Sequence, residues 1–501
     1  MNKILVIGNE TQNTDDTVAA LAAEVGSINH GLVTDPDFVP MSAGYYHTSI
    51  ADLAAGAIVQ QLAKNFDQVI MLDQDVDSYP HFKSFVNTFR LMIELEKHQF
   101  NTKFRDNLCN KHIIYWYNLL HTNKSLCVYP FIGLQNDFGW VNLCQKTGKQ
   151  LTKLESIVDW QTAPGFTPIR NNMLDGTTMP DCNICYEREE NNGESTRQFE
   201  SLEWAVRLKL TCLEDLKKIT HPVYIEVRPN NKCNIKCRMC NDRFSDLIEK
   251  ENKKFGFPML PATFQLQGTV PYEKINFDTL QRIHWTGGEA TVQPEFYAFL
   301  RKCIKEKHVN FDLTIGTNAK KISDTLLSLL AEFPMVTFSV SFDGYKKVND
   351  YIRWGTEFDA LRENCYRILR SGHNLAFQTV FSMYNATRIH EVYDFYDREF
   401  PAQNSLVQPA SMVNSYLGPW HNPLKQQVLE SMYRCRETKV YYNCGRNTNN
   451  LVDEVISRHE QHDYDPSILK QFFHYNDNLD RVRNSKLVDY IPELDQARKY
   501  C

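Results

Sequence analysis

The chain has 501 residues, with 55 Lys and Arg against 61 Asp and Glu and a formal charge of −6. Hydrophobic residues make up 42% and charged residues 23%, globular proportions that exclude disordered, collagenous and coiled-coil classes and leave material for about three domains. The mild acidity argues against a nucleic-acid binder whose affinity rests on phosphate contacts.

Residues 3–8 read as a buried strand, and the apolar run there is too short for a signal-peptide core. Thr17–Val25 reads as a helix, Asp67–Leu72 as a second strand and Phe82–Lys97 as a second helix. Residues 1–105 are thus expected to form a small α/β unit. A single glycine ends the first strand with no G-x-G-x-x-G, which speaks against a dinucleotide site. The longest apolar stretches, 51–62 and 113–120, fall short of the about 20 residues that a membrane span needs. A cytoplasmic protein with no membrane partner is expected, in which fourteen cysteines read as metal ligands or buried thiols rather than disulfides.

Residues 106–215 differ in kind, with short strands, Gly and Pro punctuation, and cysteines at 109, 127, 144, 182, 185 and 212. From 216 to 420 the pattern becomes rhythmic. Runs suited to buried strands lie at Val223–Val227, Ile283–Thr286, Phe311–Ile315, Val336–Ser341, Leu375–Phe381 and Leu406–Met412. Helical patterns separate them at Pro294–Lys307, Ile322–Phe333, Phe358–Ser371 and Ile389–Phe400. Six strands alternating with helices predict an α/β fold with a parallel sheet and right-handed crossovers. Two units are missing for a closed eight-fold barrel, so an open, partial (β/α)6 TIM-like barrel is expected. Residues 421–501 read as a helical C-terminal extension.

Directly after the first barrel strand stands Cys233-Asn-Ile-Lys-Cys237-Arg-Met-Cys240, a C-x3-C-x2-C loop. The next cysteine is Cys303, too distant in sequence for a local fourth ligand. Three thiolates on a cubane leave one iron open for chemistry, whereas a structural zinc site wants a closed shell of four. The loop's place at a strand's C-terminal end, where active sites gather in such barrels, favours the open cluster.

This loop resembles the cluster-binding signature of the radical S-adenosylmethionine (SAM) superfamily, and further stretches carry the resemblance. Trp285-Thr286-Gly287-Gly288-Glu289 ends the second strand as the family's GGE stretch does, and glycines there let backbone approach a ligand closely. Gly316-Thr317-Asn318 ends the third strand, and Ser339-Val340-Ser341-Phe342-Asp343-Gly344 ends the fourth. Arg353 matches an arginine that meets the cofactor carboxylate, a partner suited to the guanidinium fork. The resemblance implies a 4Fe–4S cluster on Cys233, Cys237 and Cys240, with S-adenosylmethionine held by Gly287, Gly288, Glu289, Asn318, Ser341 and Arg353. Met239 stands where many members carry an aromatic residue, and its side chain is expected to cover the adenine.

A second set comprises Cys127 and Cys144 in a C-x11-G-x4-C pattern and Cys182-Asn-Ile-Cys185. Four thiolates complete a shell for either a second 4Fe–4S cluster or zinc. The surrounding residues, Leu126–Phe131 and Met173–Gly176 through Gly193–Arg197, resemble the auxiliary-cluster SPASM/twitch domains. In relatives those domains follow the barrel; here the match precedes it. Leu479–Ser485 and Ile491–Leu494 resemble the tails of twitch-containing radical SAM proteins of phage and uncultured-microbe type. The resemblance implies reductive cleavage of S-adenosylmethionine to a 5′-deoxyadenosyl radical that takes hydrogen from a substrate. A flavodoxin or ferredoxin is the implied electron donor. A peptide or protein is the leading substrate class, with a carbohydrate or small metabolite second. A non-catalytic iron–sulfur or zinc scaffold is the reading from a different class.

Overall fold

The computed structural model describes residues 4–7, 32–33, 68–71, 110–144, 149–190, 195–260, 270, 272–400, 404–409, 415–438, 452, 456, 459 and 464–501. The chain divides into two compact units, residues 1–128 with 198–216, and residues 129–197 with 217–501.

In the first unit, strands β1 (Ile4–Ile7), β2 (Leu32–Val33) and β3 (Gln68–Met71) form a parallel sheet in the order β2-β1-β3. The two predicted N-terminal strands are there, while the helices expected at 17–25 and 82–97 lie outside the described residues. Helix α1 (Asn110–Thr122) follows, and its Trp116 indole N–H donates to the Leu210 carbonyl at 2.7 Å.

The second unit is built on a nine-stranded sheet. Six parallel strands stand in consecutive order, β7 (Tyr224–Arg228), β8 (Arg282–Trp285), β9 (Asp312–Thr317), β10 (Met335–Ser341), β11 (Asn374–Phe381) and β12 (Asn404–Pro409). Each falls on a predicted run. The sheet does not stop at β7, however. Strand β4 (Gly133–Asp137) pairs parallel with it, and β5 (Trp140–Asn142) and β6 (Gln150–Lys153) continue antiparallel. The cysteine-rich segment expected to stand apart over 106–215 is therefore divided: 129–197 joins the unit that holds the parallel strands, and the remainder belongs to the first unit. The sequence reading missed this because β4, Gly-Leu-Gln-Asn-Asp, has one apolar residue in five and no strand periodicity.

Helices α2 (Phe166–Leu174) and α3 (Asn183–Glu190) follow β6. Helix α4 (Asp246–Phe255) shows why local sequence fixes its limits. Ser245 caps it by accepting from the Ile248 N–H, Lys253 and Lys254 complement its last turn, and Gly256 stops it at φ +70°. Helices α5 (Pro294–Glu306), α6 (Asp324–Leu330), α7 (Lys347–Ile352), α8 (Phe358–Arg370) and α9 (Ile389–Glu399) link the later strands. They cover one face of the sheet, where Ile225, Val227, Trp285, Ile315, Phe338 and Phe377 join a single buried cluster. Side chains alternate along a strand, so the opposite face carries Glu226, Arg228, His284, Thr314 and Ser339.

After β12 come α10 (Lys425–Arg436) and α11 (Pro466–Arg483), as the expected helical extension. A second apolar cluster joins Leu469, Phe472 and Phe473 of α11 to Met239, Tyr351, Ile352 and Tyr384. Met239, expected over an adenine ring, is 6% exposed and belongs to this cluster. Among the described residues no helix is long and apolar enough to cross a membrane.

Candidate active site at the strand ends

The Cys233–Cys240 loop leaves the C-terminal end of β7 and is fixed from several sides. The Cys233 N–H donates to Asp246 at 2.9 Å. The Lys236 and Arg238 N–H groups donate to the carbonyls of Trp354 and Ile352 at 2.9 and 2.8 Å, bracketing Cys237 opposite Arg353. Behind the loop the Arg238 guanidinium, fully buried, reaches α11: it donates to Asn476, Asp480 and Ser485 and to the Tyr351 carbonyl. Arg483 pairs with Glu251 and donates to the Lys236 carbonyl at 3.0 Å.

Burial, then the neighbouring Cys237, pushes the Cys233 thiol up to about 12. Burial also raises Cys237, and Cys240 rises through burial with Cys237 and Cys233 beside it. Three half-buried thiols that feel one another's charge stay protonated on their own, and would release their protons to solvent only as a soft cationic group took up the thiolates. Arg353 is held above its ordinary value despite burial, because Cys237 and Asp343 lie against it. Its Nη1 donates to Asp343 Oδ2 at 2.7 Å, while its Nε is buried without a partner. One edge of that fork is thus unspent, which suits a carboxylate. Among the described residues no three His, Cys, Asp or Glu side chains converge tightly enough to hold a single metal ion.

The other strand ends serve the loop as much as a ligand. A Cβ at Gly288 would stand 2.1 Å from the Lys232 carbonyl oxygen, and one at Gly287 2.0 Å from Arg228 Cγ, both glycines having positive φ. The closeness the glycines permit is to the cysteine loop's own backbone and to β7, which corrects the expectation that the space beside Gly288 belongs to a ligand. The Glu289 carboxylate is spent inside the protein: it accepts from Thr291, from the Thr317 hydroxyl at 2.6 Å and from the Asn318 N–H at 2.7 Å. It clasps the end of β8 to the end of β9. Asn318 in turn donates to Asn234 at 2.7 Å, inside the cysteine loop. Ser341 ends β10, half-buried, in register with Gln378. Sequence reasoning gave Asp343 no firm role; its carboxylate holds Arg353 and accepts from the Val380 N–H at 2.7 Å.

Cys144, Cys182 and Cys185 also lie together. Burial, followed by Cys144 and Cys185, pushes the Cys182 thiol up to about 12. Cys127 belongs to the first unit, where the Ser201 hydroxyl donates to its sulfur at 3.8 Å. Cys303, Cys365 and Cys435 are buried thiols, and Cys109 and Cys444 lie outside the described residues.

Residues 227–396 match the Radical SAM superfamily model. They are a radical SAM domain. The span runs from β7 to α9 and contains the cysteine loop, Gly287–Glu289, Asn318, Ser341 and Arg353. An uncharacterized protein of Methanothermobacter thermautotrophicus is 26% identical over 184 residues, which are 34% of this chain and 63% of that protein. Native anSMEcpe with bound AdoMet matches at 16% identity and a TM-score of 0.30, over 37% of this chain and 52% of that one. Streptococcus suis SuiB bound to precursor peptide SuiA matches at 18% identity and a TM-score of 0.30, over 52% and 59%. The chain thus spans between half and two thirds of the length of these three proteins. Structural likeness this low carries no argument.

Proposed function

We propose that this chain is a radical SAM enzyme. Cys233, Cys237 and Cys240 hold a 4Fe–4S cluster, and S-adenosylmethionine binds beside it with its carboxylate on Arg353, near the ends of β8–β10. When bound, the cluster supplies the electron that splits S-adenosylmethionine into methionine and a 5′-deoxyadenosyl radical, which takes hydrogen from the substrate. The observation that carries the reading is the grouping of three half-buried thiols near Arg353 beyond the end of β7, inside the span of the family model.

The protein's own part is positional. Asp343 fixes one side of the Arg353 fork and leaves Nε for the ligand. Glu289, Asn318 and Asn234 chain the ends of β8 and β9 to the cysteine loop, so the cluster and the cofactor pocket share one frame. In this reading the six parallel strands curve as a partial barrel, whose role would be to keep water and stray hydrogen donors from the radical.

Cys144, Cys182 and Cys185 are proposed to belong to a twitch/SPASM-type auxiliary site for a second cluster, with zinc as the other occupant. A peptide or protein is the proposed substrate and a flavodoxin or ferredoxin the electron donor. Anaerobic iron and sulfide reconstitution tests the reading. The reduced protein should give a cluster EPR signal that changes on adding S-adenosylmethionine, and should slowly release 5′-deoxyadenosine; Cys237→Ala should abolish both. A wild type that binds zinc alone, or whose signal ignores S-adenosylmethionine, overturns it.

A further inference from the structure

The face of the sheet opposite α5–α9 is polar where β4, β7 and β8 meet. Gln135, Glu226 and His284 are successive partners in register across these strands. Trp285, next to His284, packs on Phe296 and Phe299 of α5 at 4.8 and 5.2 Å, so His284 and the row it belongs to lie on the opposite face. The row sits one layer below the strand ends, beneath Arg228, whose side chain lies against Gly287.

These side chains are built into the protein yet not satisfied by it. Gln135 and Glu226 are each 2% exposed. Gln135 Nε2 donates to Glu226 Oε1 at 3.2 Å, and Arg228 Nη2 donates to the same oxygen at 3.3 Å. That leaves Gln135 Oε1, Glu226 Oε2, Arg228 Nε and His284 Nε2 buried without a partner. His284 Nδ1 stands 4.0 Å from Glu226 Oε2, beyond hydrogen-bond reach. Buried acceptors left in this state are costly, so a row that holds two of them side by side is made for something that donates.

The charge balance narrows what that is. Arg228 pairs with Asp137 and Glu226, and Arg243 pairs with Asp137, so two cations already answer two carboxylates. Burial lowers the pKa of His284, which keeps the imidazole neutral and able both to donate and to accept. An ammonium group would unbalance the row, and a carboxylate or carbonyl brings no donor. A hydroxyl donates to Glu226 or Gln135 while accepting from Arg228 or His284.

We infer that Gln135, Glu226 and His284 form a substrate subsite that takes a neutral hydroxyl-bearing group, with the hydrogen to be abstracted held above it toward the strand ends. The inference rests on the radical SAM reading of the site above the row. Hydroxyls come from a sugar or from a serine or threonine side chain, and the experiment has an arm for each.

Reconstituted, S-adenosylmethionine-loaded protein is titrated by calorimetry with methyl glycosides of pentoses and hexoses against their deoxy counterparts, and with blocked Gly-Ser-Gly and Gly-Thr-Gly against Gly-Ala-Gly. At least one hydroxyl probe should bind about tenfold or more tightly than its partner lacking the hydroxyl, since buried polar groups left unpaired reject the analogue. Glu226→Gln and Gln135→Met, each checked for an intact circular dichroism spectrum, should cut that preference to about threefold or less. If one variant misfolds, the other decides. No preference in any pair, or a preference that survives the folded variant, overturns the subsite. Failure of wild type to bind S-adenosylmethionine at all instead overturns the reading on which it rests.

Discussion

Replacing Asp480 with Ala removes the carboxylate that answers the guanidinium behind the cysteine loop. Arg238 has no solvent exposure, and its Nη2 donates to Asp480 Oδ1 at 2.6 Å. The same carboxylate accepts from the Tyr351 hydroxyl, the Ser485 hydroxyl at 2.7 Å and the Leu487 N–H at 2.8 Å. Arg238 would keep the Tyr351 carbonyl, Asn476 and its stacking on the Tyr351 ring at 3.5 Å, but no counter-charge. Stranding one partner of a buried pair costs about 3–5 kcal/mol. At about 2–4 °C per kcal/mol, with large units at the lower end, the melting temperature should fall by about 6–15 °C. The measurement is thermal unfolding by circular dichroism, on protein with and without iron, because the pair exists independently of the cluster. Asp480→Asn, which keeps an acceptor but not the charge, should fall between Ala and wild type. Iron retained per chain should drop alongside, since Arg238 sits between Cys237 and Cys240. An Asp480→Ala protein melting within about 2 °C of wild type would refute the reasoning, because a pair so buried cannot be lost at surface cost.

Gly288→Ala should lower iron content nearly as far as loss of a cysteine, because its Cβ would press 2.1 Å from the Lys232 carbonyl oxygen at φ +51°; iron content equal to wild type would contradict this. Cys182→Ala with Cys185→Ala should remove about one cluster's worth of iron and leave the S-adenosylmethionine-sensitive signal in place; an equal loss of zinc instead would identify a zinc site. Burial, with Arg434 next, lowers the His390 pKa to about 4. The unfolded chain therefore takes up this proton first, so the stability is complete above pH 6.5 and is lost as pH falls towards 4. His390→Asn should flatten that decline by about 1–2 kcal/mol once partial exposure is discounted, read from urea midpoints across the window.

The six parallel strands were legible because their helix-facing residues are apolar and their spacing leaves room for a helix between each pair. The cysteine loop was legible because spacing alone defines it. Roles within the site were less so. Glu289 reads as part of a ligand-binding stretch, yet its carboxylate is consumed by Thr291, Thr317 and Asn318, partners 28 and 29 positions on among them. Sequence gives a side chain's chemistry but not the backbone N–H that a distant strand end will aim at it. The polar row was half visible. Tyr224-Ile-Glu-Val-Arg228 alternates charge with aliphatic side chains inside a strand, a sign of a second, hydrophilic face. Its partner Gln135 lies on a strand with no periodicity, so the row emerges only once β4 is paired with β7.

The grip of α11 on the cysteine loop has a consequence for how the protein is made. Arg238 and Asp480 are 242 positions apart. At about 5–20 residues per second, about 12–50 s of translation separate the cysteines from the residues that lock their loop. Through that interval Cys233, Cys237 and Cys240 are on the ribosome without their final frame, while Gly287, Asn318 and Arg353 arrive in turn. Metal delivered early meets a loop free to reshape around a wrong ion; metal delivered after residue 483 meets a fixed one. On the proposed reading, the frame that would hold a cluster is complete only once residue 483 has been made.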